Sequence, residues 1–515
     1  MIRREKSPED LLLAQHILEE YRQAGAVRQV RDPENTKHLV PWFVISKEEQ
    51  GGMKHRFITD CRELNRFLQP REFRLDHLQT IFPYLRKGWV AAKVDLKDAY
   101  FHMQLAPTLS QFVRVQVGEV EWEFLSACFG LSTLPQLFML LMKVLEKIWR
   151  AKGLFVFVYL DDILVLAPSE KRLARDLSVV VDVLLEAGFK INSKKSSLFP
   201  CKQVQHLGML LDFEQGVLEV PPYKLKTIRK ELGKLVTHRT LTCRKVASIL
   251  GQVRSYLVAL PFLRLVTDQL LQFSNLHKTK GWDHGVPLAD EFRRQVVELE
   301  TYLHPGFGRK FFTPPSRNLH SDSSQEGGGG LDPESGALVH DFWRHQRTLY
   351  INYKELEAAV ATVKSLARPG ESIKLSVDNT VAYSYLKKWG GRVQGLNTIL
   401  KPLWLWCREK DIQVSVEWVP SQDMKADTIS RWVRDPEDCS LHPHLFQTMV
   451  QNFRGVLQPQ VDMFASPANA KITLVWTKWP HYQAYLVDAL PCPVGALLGF
   501  TPTPHGQSSH SGCTG

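Results

Sequence analysis

Two adjacent acids, Asp161 and Asp162, interrupt an otherwise apolar run at residues 154–167 (LFVFVYLDDILVLA). A hairpin tip carries such residues for turn reasons alone. These flanks, however, are apolar enough to lie in a core, where two carboxylates repel and lose hydration unless cations neutralise them. A third acid, Asp95, ends another buried-looking strand (WVAAKVD). Three acids at strand ends suit two divalent cations about 3.5–4 Å apart, one activating a hydroxyl and one steadying a leaving phosphate. Oxygen ligands favour Mg²⁺, which keeps water and takes substrate phosphates, with Mn²⁺ as the alternative. A second set follows: Asp322 after a strand, Glu355 in a helix, Asp378 at a strand end and Asp427 opening a helix. Taken singly, each reads as a cap or a solvated acid.

The elements that must position these acids are legible from periodicity. Residues 8–24 read as an amphipathic helix after Ser7-Pro8, ended by Gly25. Strands are expected at 40–46 and 55–59 around Gly51-Gly52, at 90–94, and as a hairpin of 112–117 and 121–125. A helix over 135–150 carries Leu, Phe and Met on most faces, which predicts that it is buried. Two strands, 154–160 and 163–167, flank Asp161-Asp162, and a helix covers 172–187. From Pro221 to about Leu303 the pattern is all-helical. Residues 305–316 form a Gly/Pro-bearing linker. The pattern then restarts: a strand before Asp322, a turn at 327–330, a strand near 347–351, a helix 353–366, a strand 373–377, helices to 389 and over 393–407, and a strand 414–418. That order describes a compact α/β domain.

The chain has 515 residues, enough for about three domains. With 44% hydrophobic and 23% charged residues it is neither mainly disordered nor collagen-like. No apolar stretch reaches the roughly 18 residues of a membrane span, and no secretory signal opens the sequence, so a soluble, intracellular protein is expected, in cytoplasm or nucleus. Eight scattered cysteines form no C-x-x-C pair, against a zinc knuckle or a disulfide framework. The net charge is +11. It concentrates in residues 221–264, which hold ten Lys/Arg and one acid, Glu231. The plain reading is a solvated helical face; the sharper one is a module that grips a phosphate backbone.

Residues 94–101 (VDLKDAYF) and 159–162 (YLDD) resemble motifs A and C of reverse transcriptases. Other segments agree in order: 56–65 (RFITDCRELN) is similar to the fingers segment, Phe129-Gly130-Leu131-Ser132 with Pro135 and Phe138 to motif B, Gly188-Phe189-Lys190-Ile191-Asn192 with Lys195 to motif D, and His206-Leu207-Gly208 to the primer grip. The resemblance spans about residues 20–265. It implies that Asp95, Asp161 and Asp162 are the catalytic metal ligands. Arg56 and Lys47 would meet the incoming triphosphate, and Tyr100 would stack under the sugar and exclude a 2′-hydroxyl. Phe129 would sit beside the nucleotide, and Lys195 would protonate the leaving pyrophosphate. The basic helices become the thumb, with Lys224, Lys226, Arg229, Lys230, Lys234, Arg244 and Lys245 on the template–primer duplex. Two departures are Leu134 where the family has Ala before Pro135, and Ala127-Cys128 before Phe129.

The second set, in this order, resembles the RNase H family over residues 316–432, whose four carboxylates hold two metals that activate water against a phosphodiester. The loop from Trp418 to Met424 is one residue shorter than in related elements, a change that would displace Asp427. The implied fold is an α+β polymerase right hand followed by an α/β RNase H-like domain: fingers and palm 1–220, helical thumb and connection 221–304, linker 305–316, RNase H-like domain 317–432, an element-specific segment 433–490 and a disordered tail 491–515. The implied partners are RNA template, DNA primer, RNA–DNA hybrid and deoxynucleoside triphosphates, with the oligomeric state open. Asp378-Asn379-Thr380-Val381-Ala382-Tyr383 with Gly390-Gly391, then 461–466 (VDMFAS) with Asn469 and Asp488-Ala489, looks like DIRS-type retrotransposon polymerases, with gypsy-type elements and plant pararetroviruses as neighbours. The chain reads as part of an element's polyprotein, or as a genomic copy whose frame decays after Leu490. Three functions compete: a reverse transcriptase with RNase H activity, an inactive relic that still binds nucleic acid, and a polymerase with relaxed sugar choice. The complete acid sets favour the first over the second, and Tyr100 argues against the third.

Overall fold

The computed structural model describes residues 7–431 except 32–35, 50–51, 74, 278, 280 and 344–349, with two further strands, Val475–Thr477 and Ala484–Val487. The expected segment 433–490, beyond those two strands, and the tail 491–515 lie outside the described residues. The chain divides into two compact units. One comprises Met1–Lys230, Val258–Leu260 and Leu303–Phe312; the other comprises Glu231–Leu257, Pro261–Tyr302 and the residues from Thr313 on. No described helix is long and apolar enough to cross a membrane.

The first unit is built on a four-stranded antiparallel sheet, in the order Phe155–Tyr159, Asp162–Ala167, Val90–Asp95, Ser197–Cys201. Val94, Val156, Val158, Ile163 and Val165 are buried in one core with Phe138, Met142 and Trp149 of helix Leu134–Ala151 and Leu173, Val180 and Leu184 of helix Glu170–Glu186. Each such side chain contributes about 1.5–3 kcal/mol on burial. The expectation that the first of these helices is buried on most faces is corrected. Leu137, Leu140, Leu141, Val144 and Ile148 recur along one side and are exposed, because the sheet and the second helix cover only the opposite stripe.

A second core joins helix Pro8–Gln23, N-capped by Ser7, to the hairpin Trp42–Glu49/Gly52–Thr59 and the strands Val27–Gln29, Arg114–Val117 and Val120–Phe124. A further antiparallel sheet, Gln203–His206, Met209–Asp212, Val217–Glu219 and Arg309–Lys310, went unread in the sequence. Its last strand falls inside the expected linker.

In the second unit, the stretch expected to be all-helical holds helices Cys243–Ser255, Asp268–His277 and Asp290–Thr301, but also a strand pair, Thr240–Thr242 with Gly285–Pro287. A mixed five-stranded sheet follows, in the order Leu338–Phe342, Gly327–Leu331, Arg317–Ser323, Ser372–Val377, Gln413–Trp418. The first three strands are antiparallel and the last two join in parallel. Helices Ile351–Leu366, Thr380–Lys388 and Gln394–Glu409 connect them. One expectation fails here. Residues 327–330 form a strand, not a turn, because side chains lie flat on it: a Cβ at Gly328 would stand 2.5 Å from the Trp343 ring, and one at Gly329 2.6 Å from Ile429. Of the strand expected near 347–351, residues 347–349 lie outside the described residues; a strand is formed by Leu338–Phe342, and Ile351 opens the next helix.

Candidate active sites

Strand Val90–Asp95 and hairpin strand Asp162–Ala167 run antiparallel in a register that places Asp95 opposite Asp162. The turn between Tyr159 and Asp162 has only two residues, Leu160 and Asp161. Such tight hairpins need a positive φ at their first central position, and Leu160 supplies it at 53°. The Leu96 N–H donates to the Asp161 carbonyl (3.0 Å), which ties the tip to the strand end. The Asp95 N–H donates to Ser196 Oγ (3.0 Å), and the Asn192 N–H to the Asp95 carbonyl (2.8 Å).

The three acids have different surroundings. Burial and the Asp161 carboxylate push Asp95 above its ordinary value, against Lys195 and Asn192. Asp162 is turned to Lys93 Nζ (3.0 Å) and to fully buried His206 Nδ1 (3.5 Å). Burial pushes Asp162 up, but His206 and Lys93 outweigh it and hold the carboxyl below the usual range. The three first-site acids therefore do not gather their ligand oxygens within 4.8 Å, as the second set does. Lys93 lies two residues before Asp95, on the same strand face by the period of two, so its role was readable; that of His206 depends on a distant hairpin.

Tyr100 is half-buried, edge-on to Phe129 (5.3 Å between centroids) and Phe138 (5.5 Å). Phe129 is partly exposed, and its carbonyl accepts from the Thr59 hydroxyl. Gly130 has φ 116°, and any Cβ there would meet the Thr59 carbonyl, so glycine is required. Lys47 and Arg56 sit on opposite, exposed strands of the Trp42–Glu49/Gly52–Thr59 hairpin.

In the second unit, one ligand oxygen from each of Asp322, Glu355 and Asp378 lies within 4.8 Å of the others. Asp322 and Glu355 are buried. Burial, then Asp322 and Asp378, push Glu355 up to about 9. Burial and the carboxylates of Asp378 and Asp427 raise Asp322, against a 2.6 Å hydrogen bond from Ser430 Oγ. Ser421 Oγ donates to Asp378 (2.7 Å) and Trp418 Nε1 to the Asp378 carbonyl (2.7 Å). These positioning serines went unread. Asp427 is not in the cluster; its Oδ1 accepts from Arg431 at 2.9 and 2.8 Å. The oxygen-only donors, two of them buried and all mutually repelling, fit a hard divalent cation.

The basic residues are less free than their sequence suggests. Lys224 donates to the Gly208 carbonyl (2.8 Å) and Arg229 lies 3.3 Å from His304. Lys234 and Lys245 both bind Glu231, holding that carboxyl down to about 2. Arg244 grips Asp283 through two hydrogen bonds, 2.6 and 2.8 Å. Lys226 and Lys230 are exposed.

Residues 45–211 match the family model for reverse transcriptase (RNA-dependent DNA polymerase). A putative enzymatic polyprotein of Cassava vein mosaic virus is 25% identical over 287 residues, 54% of this chain and 42% of its own length. The Pol polyprotein from transposon gypsy of Drosophila melanogaster is 24% identical over 333 residues, 61% of this chain and 30% of its own. The chain thus spans less than half of either relative. Foamy viral protease–reverse transcriptase structures solved with double-stranded DNA superimpose with TM-scores of 0.54 and 0.52, at 15% identity, over 84% and 81% of this chain and 72% and 84% of theirs. That likeness shows the fold, a polymerase right hand continuing into a mixed α/β domain. Residues 45–211 are thus similar to the reverse transcriptase family, in a chain that carries a separate acidic cluster further on.

Proposed function

We propose that the chain is an RNA-directed DNA polymerase with ribonuclease H activity, from a retroelement. The observation that carries this reading is the backbone tie between Asp95's strand and the Asp161 tip, inside the family-matched segment. Asp95 and Asp161 would hold Mg²⁺ or Mn²⁺, with Asp162 kept ionised beside them by Lys93 and His206. Divalent ions, when bound, activate a hydroxyl or water and stabilise a leaving phosphate. Tyr100, braced by Phe129 and Phe138, lies beneath the sugar and selects deoxynucleotides. Arg56 and Lys47 bind the triphosphate, and Lys195 donates a proton to pyrophosphate. In the second unit Asp322, Glu355 and Asp378, joined by Asp427 once it leaves Arg431, would hold the ions that serve hydrolysis of RNA in an RNA–DNA hybrid. Lys226 and Lys230 meet the duplex backbone. Within retroelements we place the chain among DIRS-type polymerases on the segments around Asp378 and Asp462.

A second reading, a polymerase that cleaves poorly, is favoured by Asp427's pairing with Arg431 outside the cluster. Purified protein with Mg²⁺, a primed RNA and dNTPs decides. Extension and hybrid cleavage support the first reading; extension alone supports the second. No extension, with hybrid binding retained, leaves an inactive binder and rejects both.

A further inference from the structure

A cavity of about 460 Å³ opens within the second unit, lined by Arg254, Leu271, Gln272, Asn275 and Arg392. Arg254 comes from the last turn of helix Cys243–Ser255, Gln272 and Asn275 from one face of helix Asp268–His277, and Arg392 from the loop before helix Gln394–Glu409. The polar lining is two guanidinium forks and two carboxamides, with no acid. Among the described residues neither Arg254 nor Arg392 has an ion-pair partner, whereas Arg244, Lys234 and Lys245 each have one. A further cation stands beside them: Arg264 donates to the Lys388 carbonyl (2.8 Å), and burial together with Arg254's charge lowers its guanidinium from the ordinary value. Cations gathered without a counter-charge repel one another, and an anion would relieve that.

The loop that carries Arg392 is fixed. Trp389 and Gly390 both take positive φ, 50° and 119°. The Gly391 N–H donates to Asn397 Oδ1 (2.9 Å), and Asn397 Nδ2 donates back to the Gly391 carbonyl (3.1 Å). The Val393 N–H donates to the Tyr385 hydroxyl (2.8 Å), and Gly391 lies so flat on the Tyr385 ring that a Cβ would clash. Gln272 Nε2 reaches Gln394 Oε1 (3.4 Å), linking the two walls. An exposed arginine on a loop clamped from both sides is preorganised, which lowers the ordering cost of binding.

We propose that this cavity seats a backbone phosphate of a nucleic-acid duplex, with Arg254 and Arg392 as the paired forks and the amides of Gln272 and Asn275 completing the donor set. Guanidinium groups match phosphate oxygens bidentately. The proposal rests on the reading that the chain handles an RNA–DNA hybrid, and it gives the second unit a grip built from residues other than those of the acidic cluster.

The test uses the full chain without divalent metal, so that binding is read apart from catalysis. Affinity for an RNA–DNA hybrid is measured by fluorescence anisotropy across a salt series, for wild type, Arg392→Gln and Arg254→Gln/Arg392→Gln. Each lost phosphate contact flattens the log K against log salt slope by about 0.9. We expect a slope smaller by about 1 to 2 and roughly tenfold weaker binding in the double variant. Arg392→Gln alone, a change on an exposed loop, carries about half of that, and it decides the matter if the double variant melts early. Unchanged slopes overturn the proposal. So does loss of a thermal shift by inorganic triphosphate with an unchanged hybrid slope, which would mark a free-anion site. Wild type that binds hybrid but fails to extend a primer overturns the proposed function while the slopes still judge the seat.

Discussion

The two acidic sites solve the same electrostatic problem in opposite ways. In the first, Lys93 and His206 face Asp162, and Lys195 acts on Asp95, so part of the negative charge is balanced within the chain. In the second, three carboxylates crowd within 4.8 Å, two of them are buried, and Glu355 is raised to about 9. Arg431 is engaged with Asp427 rather than with the cluster. The first site can stand with little help from ions; the second gains integrity only when cations arrive or a proton stays.

The largest expected effect separates the two chemistries. Asp161→Asn should lower primer extension by about 10³-fold or more and leave hybrid cleavage intact, and Glu355→Gln should do the reverse. Loss of both activities from either change would break the division into two sites. The contrast in charge is sharpened by melting without metal. Glu355 keeps a proton in the folded chain that the unfolded chain releases above its ordinary value of 4.5. Folded stability should therefore fall as pH rises from about 4.5 toward 9. Glu355→Gln removes a costly buried carboxylate, about 1–3 kcal/mol, and should raise the pH 8 melting temperature in EDTA by a few degrees. Asp161→Asn should not. An E355Q protein that melts no higher than wild type at pH 8 would contradict the assigned contrast.

Packing supplies a smaller test confined to the second unit. Gly330→Ala places a Cβ against Thr362, an overpacking that costs about 1–3 kcal/mol. Hybrid cleavage should become heat-labile before extension does; equal lability would show that the glycine strand is not tightly covered. The smallest effect is expected from Arg431→Gln. The ion pair is largely exposed, worth about 0.2–1 kcal/mol, so releasing Asp427 should tighten Mg²⁺ binding at the second site by up to about fivefold. Weaker Mg²⁺ binding would assign Arg431 a supporting role instead.

Much of this was readable before the fold. Asp161-Asp162 stood out because acids inside an apolar β-run demand a reason, and the same logic found Asp95. The four glycines misled because a glycine run signals a turn, while the cause of a glycine strand lies in residues far along the chain: Trp343, Thr362 and Ile429. The basic stretch misled for a similar reason. Its count of cations was correct, but Asp283, 39 residues beyond Arg244, is not visible in a local window. Partners of Asp162 divided the same way, Lys93 by strand period and His206 only by folding.

The strand Gly327–Leu331 carries one last implication. Every single-nucleotide missense change of a glycine codon adds at least a Cβ, and at each of positions 327–330 that atom would come within 3.0 Å of a neighbour. A strip whose packing surface is bare backbone has no conservative substitution. In a random library sorted only for folded protein, these four codons should stay blank while exposed surface positions fill with variants.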